Sequence, residues 1–476
     1  MLILYLFCYN EDMPSLKLIS TNKYLLAKTG EMRAYVHIYA NSNILEAIKD
    51  DLSLEQLKET ASLTDVVSPV IGMPDIHQGF GLPIGGVMAT NGLISVGAVG
   101  MDINCGVRIL TSQLNYQTDK ISSETLAFLI KEIEKLVPAG LGTEHKNHLR
   151  LNLKEVVSKG VPYLVNEGYA LSEDPEHTEE NGHMLEGNYE ALSPRAIQRA
   201  AKQLGTLGSG NHFIDVLKIE EIFDQATASQ WGLFENQVCI MIHSGSRALG
   251  HQTCLDYTNL FWGLRNKYGI YVPRPGLAAL PVETPEGKKY FGAMAACVNF
   301  AFCNRQMMTY FVRQAFEKQF GQKLNLLYDV AHNIAKWEEY DGKKMLVHRK
   351  GATRAFPANH PQNPKVYMNT GHPAIVPGSM GTPSYIMVGL PKNKETFHSI
   401  NHGAGRLMSR TQAKKTIKES DFDKSMEGIL HNKPFYHISD EAPQVYKNID
   451  EIVNILVEAG LSEKVAKLKP LAVING

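Results

Sequence analysis

The stretch Gly100-Met101-Asp102-Ile103-Asn104-Cys105-Gly106 sets a carboxylate and a thiol three residues apart between two glycines. Asp102 offers hard oxygen and Cys105 soft sulfur, a pair that needs imidazoles from elsewhere to complete a divalent-metal cage. His212, His243, His332 and His402, each in a Gly-, Ser- or Asn-rich setting, can supply them. Alone, the pair reads more simply as a turn aspartate beside a buried apolar cysteine. With the histidines added, the residues read as one metal and nucleotide site.

Two further motifs suit phosphate. His348-Arg349-Lys350-Gly351-Ala352-Thr353-Arg354 is a tight basic cluster fitted to phosphate oxygens through arginine forks and backbone N–H groups. Asn401-His402-Gly403-Ala404-Gly405-Arg406 puts a histidine before two glycines and an arginine, on a loop expected to open a helix. Such a loop accepts a phosphate from backbone donors while Arg406 neutralises charge. The chain has no G-x-x-x-x-G-K-[ST] loop, no Rossmann G-x-G-x-x-G after a strand and no Lys-x-Asp-Gly tetrapeptide. A nucleotide-activating enzyme made of these parts needs another nucleophile, and His402 is the candidate. A neutral imidazole attacks phosphorus, and an adjacent metal helps the leaving phosphate depart.

The elements that must position these residues follow from periodicity. Val238 to Ile242 is a buried-strand pattern running into His243, and Leu324 to Val330 repeats the layout ahead of Ala331-His332. Gly208 to Asp215 is a glycine turn entering a short apolar run. Strands ending in a histidine place it at a sheet rim, where sites are built. Ser122 or Ser123 caps a helix with the apolar face Leu126, Leu129, Ile130, Ile133 and Val137. Ala293 to Phe320 is a long apolar helix. Two short strands are expected within 17–42, a glycine-punctuated loop region from Gly72 to Gly106, and a turn over Pro377–Gly381. The end reads as a helix over Ile449–Ala459, a second short helix from Ser462 and a strand Leu471–Ile474. His177 and His183 lie in an acidic, polar stretch and read as solvated.

Bulk properties bound the reading. The 476 residues carry net charge -1, so any nucleic-acid contact must come from a local basic patch. Six cysteines are too sparse for a disulfide scaffold and fit reduced, cytoplasmic thiols. The apolar start is too short for a signal peptide, residues 1–13 read as a disordered extension, and no run is long enough to span a bilayer. Candidate site residues span 102 to 406, so residues 1–476 are expected to form one domain.

Gly-Met-Asp102-Ile-Asn-Cys105-Gly, Gly-Ser-Gly-Asn211-His212-Phe213, Ile-His243-Ser-Gly-Ser-Arg247, Tyr-Asp-Val-Ala-His332-Asn333, His348 to Arg354, Pro377-Gly378-Ser379-Met380-Gly-Thr and His402-Gly403-Ala404-Gly405-Arg406 together resemble the RtcB-type RNA ligases. The resemblance runs from about Gly72 to Gly476. It implies a single-domain α+β fold with mixed β-sheets flanked by helices and the site on loops at strand ends. It implies a GTP-dependent ligase of tRNA splicing or RNA repair, joining RNA 3′-phosphate or 2′,3′-cyclic phosphate ends to 5′-hydroxyl ends. Two Mn2+ ions are implied, bridged by Cys105, with Asp102 and His212 completing one and His243 and His332 the other. His402 takes GMP from GTP in this reading. The implied GTP pocket comprises Asn211, His212, Phe213, Ile214, Asp215, His332, Asn333, Pro377, Gly378, Ser379, Met380, Ser384, His402, Gly403, Ala404, Gly405 and Arg406, with Tyr446 and Asn475 near the guanine. An archease-type activator and a monomeric state come with the resemblance.

The chain departs from the family pattern at Asp215 (usually glutamate), Asn475 (commonly lysine), Asn401 (often cysteine) and Ala248 (glycine). None of these removes a metal ligand or the nucleophile; Asp215 and Asn475 bear on base selectivity. The alternative is a metal-dependent cyclic phosphodiesterase or RNA-end-binding protein without ligation, which needs the metals but no guanylylated His402.

Overall fold

The computed structural model describes residues 16–145 and 151–476; the extension expected over 1–13 lies outside them. The described strands build two large sheets. In the first, seven strands lie in the order Leu16–Ser20, Lys23–Leu26, Val36–Tyr39, Val66–His77, Ile84–Thr90, Lys343–Lys350 and Asn333–Tyr340. Val36–Tyr39 pairs in parallel with Val66–His77, and the other pairs are antiparallel. In the second, the order is Asn325–Ala331, Gly106–Asn115, Gln237–Ser244, Phe213–Ile222, Ser462–Asn475, Ser384–Gly389 and Ala374–Val376, with Leu430–His431 beside Ser462–Asn475. Ala352–Arg354 and Ser399–Asn401 form a small separate ribbon. The architecture is α+β, with mixed sheets flanked by helices.

Strand alternation assigns the faces of the second sheet. Val238, Ile240 and Ile242 enter the core shared with the helix Pro285–Phe320. Cys239 and Met241 join a separate core on the opposite face, and His243 continues their row. Both faces are covered, which is why these strands read as unbroken apolar runs. The long helix starts at Pro285 rather than Ala293. Thr284 accepts a hydrogen bond from the Gly287 N–H, Pro285 occupies the first turn, and Gly321 ends the helix with φ 65°. Ser122 caps the helix Ser123–Leu136 by accepting from Thr125, with the expected apolar face buried.

Three expectations fail. Residues 17–42 hold three strands, because the chain reverses at Asn22 (φ 54°) and folds Leu16–Ser20 onto Lys23–Leu26. Gly72 to His77 belongs to the strand Val66–His77, paired with Ile84–Thr90, and the loop proper begins after it. Ser462–Asn475 is one continuous strand with no short helix. Its Lys- and Glu-rich start favours helix by only a few tenths of a kcal/mol per residue. Strands on both edges supply ladder bonds that outweigh this, and Pro470 borders a register shift, where a missing N–H is tolerated. Among the described residues no helix is long and apolar enough to cross a membrane.

Candidate metal and nucleotide site

Antiparallel pairing brings the start of one strand beside the end of the next, and this gathers the ligands. Cys105 precedes Gly106–Asn115, His212 precedes Phe213–Ile222, His243 nearly ends Gln237–Ser244, and His332 follows Asn325–Ala331. The registers Gly106↔Ser244, Val107↔His243, Phe213↔His243 and Ala331↔Gly106 align all four at one end of the sheet. His332 also leads into Asn333–Tyr340 of the first sheet, so the site lies where the two sheets join.

Cys105 Sγ lies 3.1 Å from His243 Nε2 and 3.6 Å from His212 Nε2. His212 Nε2 is 2.9 Å from Asp102 Oδ2. Ligand atoms of Asp102, Cys105 and His212 all fall within 4.8 Å of one another. Ring centroids step 5.4 Å from His212 to His243, 5.8 Å to His332 and 5.3 Å to His402, a row of four imidazoles. Backbone carbonyls of Leu207 and Asn211 accept from Nδ1 of His212 (3.0 Å) and His243 (2.8 Å). A carbonyl can only accept, so Nδ1 carries the proton; this leaves the His243 Nε2 lone pair to the cage, while His212 Nε2 faces the Asp102 carboxylate. His332 Nδ1 meets Thr353 Oγ1 at 2.8 Å, and its Nε2 is buried without a hydrogen-bond partner. An orphaned buried acceptor costs about 1–3 kcal/mol, and here it points into a set of carboxylate, thiol and imidazole donors. Asp102, Cys105 and His212 could hold one divalent ion, and His243, 3.1 Å from Cys105 Sγ, with the unpartnered His332 Nε2 extends the donor set beyond them.

The electrostatics suit the histidines as ligands and hold the sulfur as a thiol, whose proton a metal ion would have to displace. Burial, reinforced by the neighbouring imidazoles, holds His243 and His332 well below the ordinary histidine pKa, in the neutral, ligating form. Burial and the Asp102 carboxylate push the Cys105 thiol well up. Burial works against the Asp102 carboxylate, but the His212 hydrogen bond and the charges of His212 and Arg247 prevail and hold its pKa down.

His402 ends the row beside a cavity of about 340 Å3. Pro377, Gly378, Ser379 and Met380 form one wall; Gly403, Ala404, Gly405, Arg406 and Tyr446 another; Asn211, Phe213 and Asn475 a third. Of the other residues of the implied pocket, Asp215 and Ser384 back directly onto this lining. His212 and His332 stand in the metal row. Ile214 faces the helix-side core. Asp215 is buried opposite Val473, its Oδ1 unpartnered and its pKa driven up by burial. Ser384 Oγ accepts from the Gly378 N–H at 3.1 Å. Asn333 donates to the Asp102 carbonyl at 3.0 Å and accepts from the Gly351 N–H at 2.9 Å.

The family model for tRNA-splicing ligase RtcB matches residues 56–476. The chain belongs to the RtcB family. A tRNA-splicing ligase RtcB of Aeropyrum pernix is 43% identical over 466 residues, covering 94% of this chain and 96% of its own. One of Thermococcus kodakarensis is 42% identical over 488 residues, covering 98% and 100%. An RNA-splicing ligase RtcB of Mycobacterium tuberculosis is 39% identical over 434 residues, covering 88% and 100%.

In this RtcB-family chain the structure adds a residue that sequence reading left without a role. Asp75 Oδ2 accepts from His402 Nδ1 at 2.6 Å and from the His402 backbone N–H at 3.0 Å. It comes from the end of Val66–His77, and its only sequence signal was a polar residue among glycines. The loop after His402 does not open a helix directly, since the helix begins at Arg410. The backbone instead turns at Gly405 (φ 73°), where a Cβ would lie 2.2 Å from the Asp75 carbonyl oxygen. Glu441 also lines the cavity unforeseen; it pairs with Arg406 at 3.1 Å and accepts from the Tyr446 hydroxyl.

The basic cluster does not serve phosphate. His348 Nε2 accepts from the Ser95 N–H, Arg349 forks onto Glu338 at 2.6 and 2.8 Å, and Arg354 pairs with Glu180 at 2.7 Å. Lys350 donates to the carbonyls of Leu82 and Gly97. All four are buried, and partners from other segments neutralise the arginines. His177 and His183 are not solvated either: both are half-buried, hydrogen-bonded to the carbonyls of Leu327 and Ser158.

Proposed function

We propose that this chain is a GTP- and manganese-dependent RNA ligase acting through a guanylylated His402. It would join RNA 3′-phosphate or 2′,3′-cyclic phosphate ends to 5′-hydroxyl ends, with broken tRNA the substrate that the relatives' names suggest. The Asp75–His402 dyad carries this reading. A carboxylate on Nδ1 fixes the tautomer and directs the Nε2 lone pair to the cavity side, as a nucleophilic imidazole requires.

In the first step Nε2 bonds to the α-phosphorus of GTP, the bond to the β-phosphate oxygen breaks, and pyrophosphate leaves. Asp75 balances the positive charge that develops on the ring. The glycine-rich walls Pro377–Met380 and Gly403–Gly405 let the backbone approach the nucleotide closely. The RNA 3′-phosphate then takes the guanylate, freeing His402, and the 5′-hydroxyl attacks that activated phosphate and expels GMP. A cyclic phosphate end is first opened by water, whose oxygen bonds to phosphorus as the bond to the 2′-oxygen breaks, leaving the 3′-phosphate and a 2′-hydroxyl. Manganese ions held by Asp102, Cys105, His212, His243 and His332 would supply Lewis-acid stabilisation of phosphoryl charge.

The test is incubation with Mn2+ and GTP labelled at the α-phosphate, without RNA, for wild type and His402→Ala. Acid-labile label on the wild type alone is expected. Absence of label from manganese-loaded wild type, with cyclic-phosphate opening intact in His402→Ala, would favour a phosphodiesterase.

A further inference from the structure

Beneath the ligands lies a buried network that the reaction scheme leaves unused. Asp329, fully buried, is met by two fully buried guanidinium groups, Arg108 and Arg305. Arg108 binds it through Nε at 2.7 Å, sets Nη2 2.6 Å from the same oxygen and gives Nη1 to Gln306 and Thr309. One arginine would neutralise one carboxylate, so the second guanidinium calls for another reason.

Arg305, from the middle of the helix Pro285–Phe320, faces the ligand segments. Its Nη1 donates to the carbonyls of Asn104 and Ser244, both at 2.8 Å, and its Nη2 to Asn104 Oδ1 at 3.1 Å. Nε and Nη2 hold Asp329 at 2.7–3.1 Å. Asn104 adjoins Cys105, Ser244 adjoins His243, and Asp329 lies three residues before His332 on the strand that delivers it. A rigid planar fork with five donors can tie three segments at once, which an ammonium cannot. Arg305 makes no bond to Asp102 or His212, and the Cys105 N–H bond to the Asp102 carbonyl at 2.9 Å keeps the shared sulfur with that first set.

We propose that Arg305 is the positioning residue of the inner ligand set: it fixes the spacing of Cys105, His243 and His332 and thereby sets affinity for the second ion. The proposal rests on the two-ion reading above. Removing partners that orient metal ligands typically weakens binding 10–100-fold. Arg305→Lys keeps the charge and loses the fork, so one manganese site should weaken by that factor while the other is retained. Arg108→Lys is the control, because it disturbs the same buried carboxylate but Arg108 reaches neither Asn104 nor Ser244.

The experiment measures manganese stoichiometry and affinity by calorimetry and elemental analysis, on wild type and on variants shown folded by thermal melting. The expected result is two tight ions for wild type and Arg108→Lys, and one for Arg305→Lys. Two tight ions in folded Arg305→Lys, or equal loss in Arg108→Lys, overturns the proposal. If Arg305→Lys fails to fold, Asn104→Gly decides: glycine keeps the left-handed backbone (φ 53°) and deletes the Nη2 contact. Two unweakened ions there overturn the proposal as well. A wild type that holds a single ion overturns the two-ion reading beneath it, before any variant is made.

Discussion

Replacing Asp75 with asparagine changes one atom and two properties of His402. The carboxylate Oδ2 now accepts both the Nδ1–H, at 2.6 Å, and the backbone N–H, at 3.0 Å. An asparagine oxygen can keep one of these bonds. Its amide can instead donate to Nδ1, which moves the ring proton to Nε2 and removes the attacking lone pair. The charge is lost as well. A carboxylate about 4 Å from the centre of an imidazolium, at an effective dielectric of about 20, is worth about 4 kcal/mol. At about 1.36 kcal/mol per decade this is about a thousandfold in the rate of guanylylation. The assay is single-turnover transfer of α-labelled GMP at saturating GTP and Mn2+. Asparagine is isosteric, so manganese stoichiometry and melting temperature should stay near wild type. A fall of less than tenfold would refute the account of Asp75 as the group that sets tautomer and charge.

Three other outcomes are expected. Cys105→Ala should fold but lose manganese stoichiometry, because both ligand sets share that sulfur; unchanged stoichiometry sinks the bridging role. Asn475→Lys should tighten GTP binding about tenfold by setting a charged donor in the cavity wall, and unchanged affinity means position 475 does not contact the base. Burial pushes the His348 pKa down to about 4, and its neutral Nε2 accepts from the Ser95 N–H. The unfolded chain takes up that proton near pH 6.5 and the folded chain only near 4. This contribution is therefore whole above about 6.5 and declines on acidification by about 1.4 kcal/mol per pH unit. Urea unfolding at pH 7.5 and 5 should show a loss about 2 kcal/mol smaller in His348→Gln, and equal losses would refute the assignment.

What could be read in the sequence was what depends on a residue and its near neighbours. The apolar runs into His243 and His332 announced strands that end in histidines, and Asp102 with Cys105 announced a cluster of possible metal donors. Asp75 could not be read, because its meaning comes from a partner 327 residues away. The same limit misled the reading of Arg349 and Arg354. A run of cations looks like a phosphate cradle until Glu338, Glu179 and Glu180 arrive from other segments to neutralise it. Asp215 is buried opposite Val473 of the cavity wall with Oδ1 unpartnered, a placement set by strand register that the motif does not carry. Ser462–Asn475 was misjudged for a related reason, since helix propensity is local and its two flanking strands are not.

The placement of that strand has a consequence for how the cavity is assembled. It lies inside the second sheet, between Phe213–Ile222 and Ser384–Gly389; Asn475 walls the cavity, and the Gly476 N–H bonds the His212 carbonyl. The cavity is therefore whole only once segments far apart in the chain have paired. Fraying of this one strand would open the cavity and release the His212 backbone in the same motion.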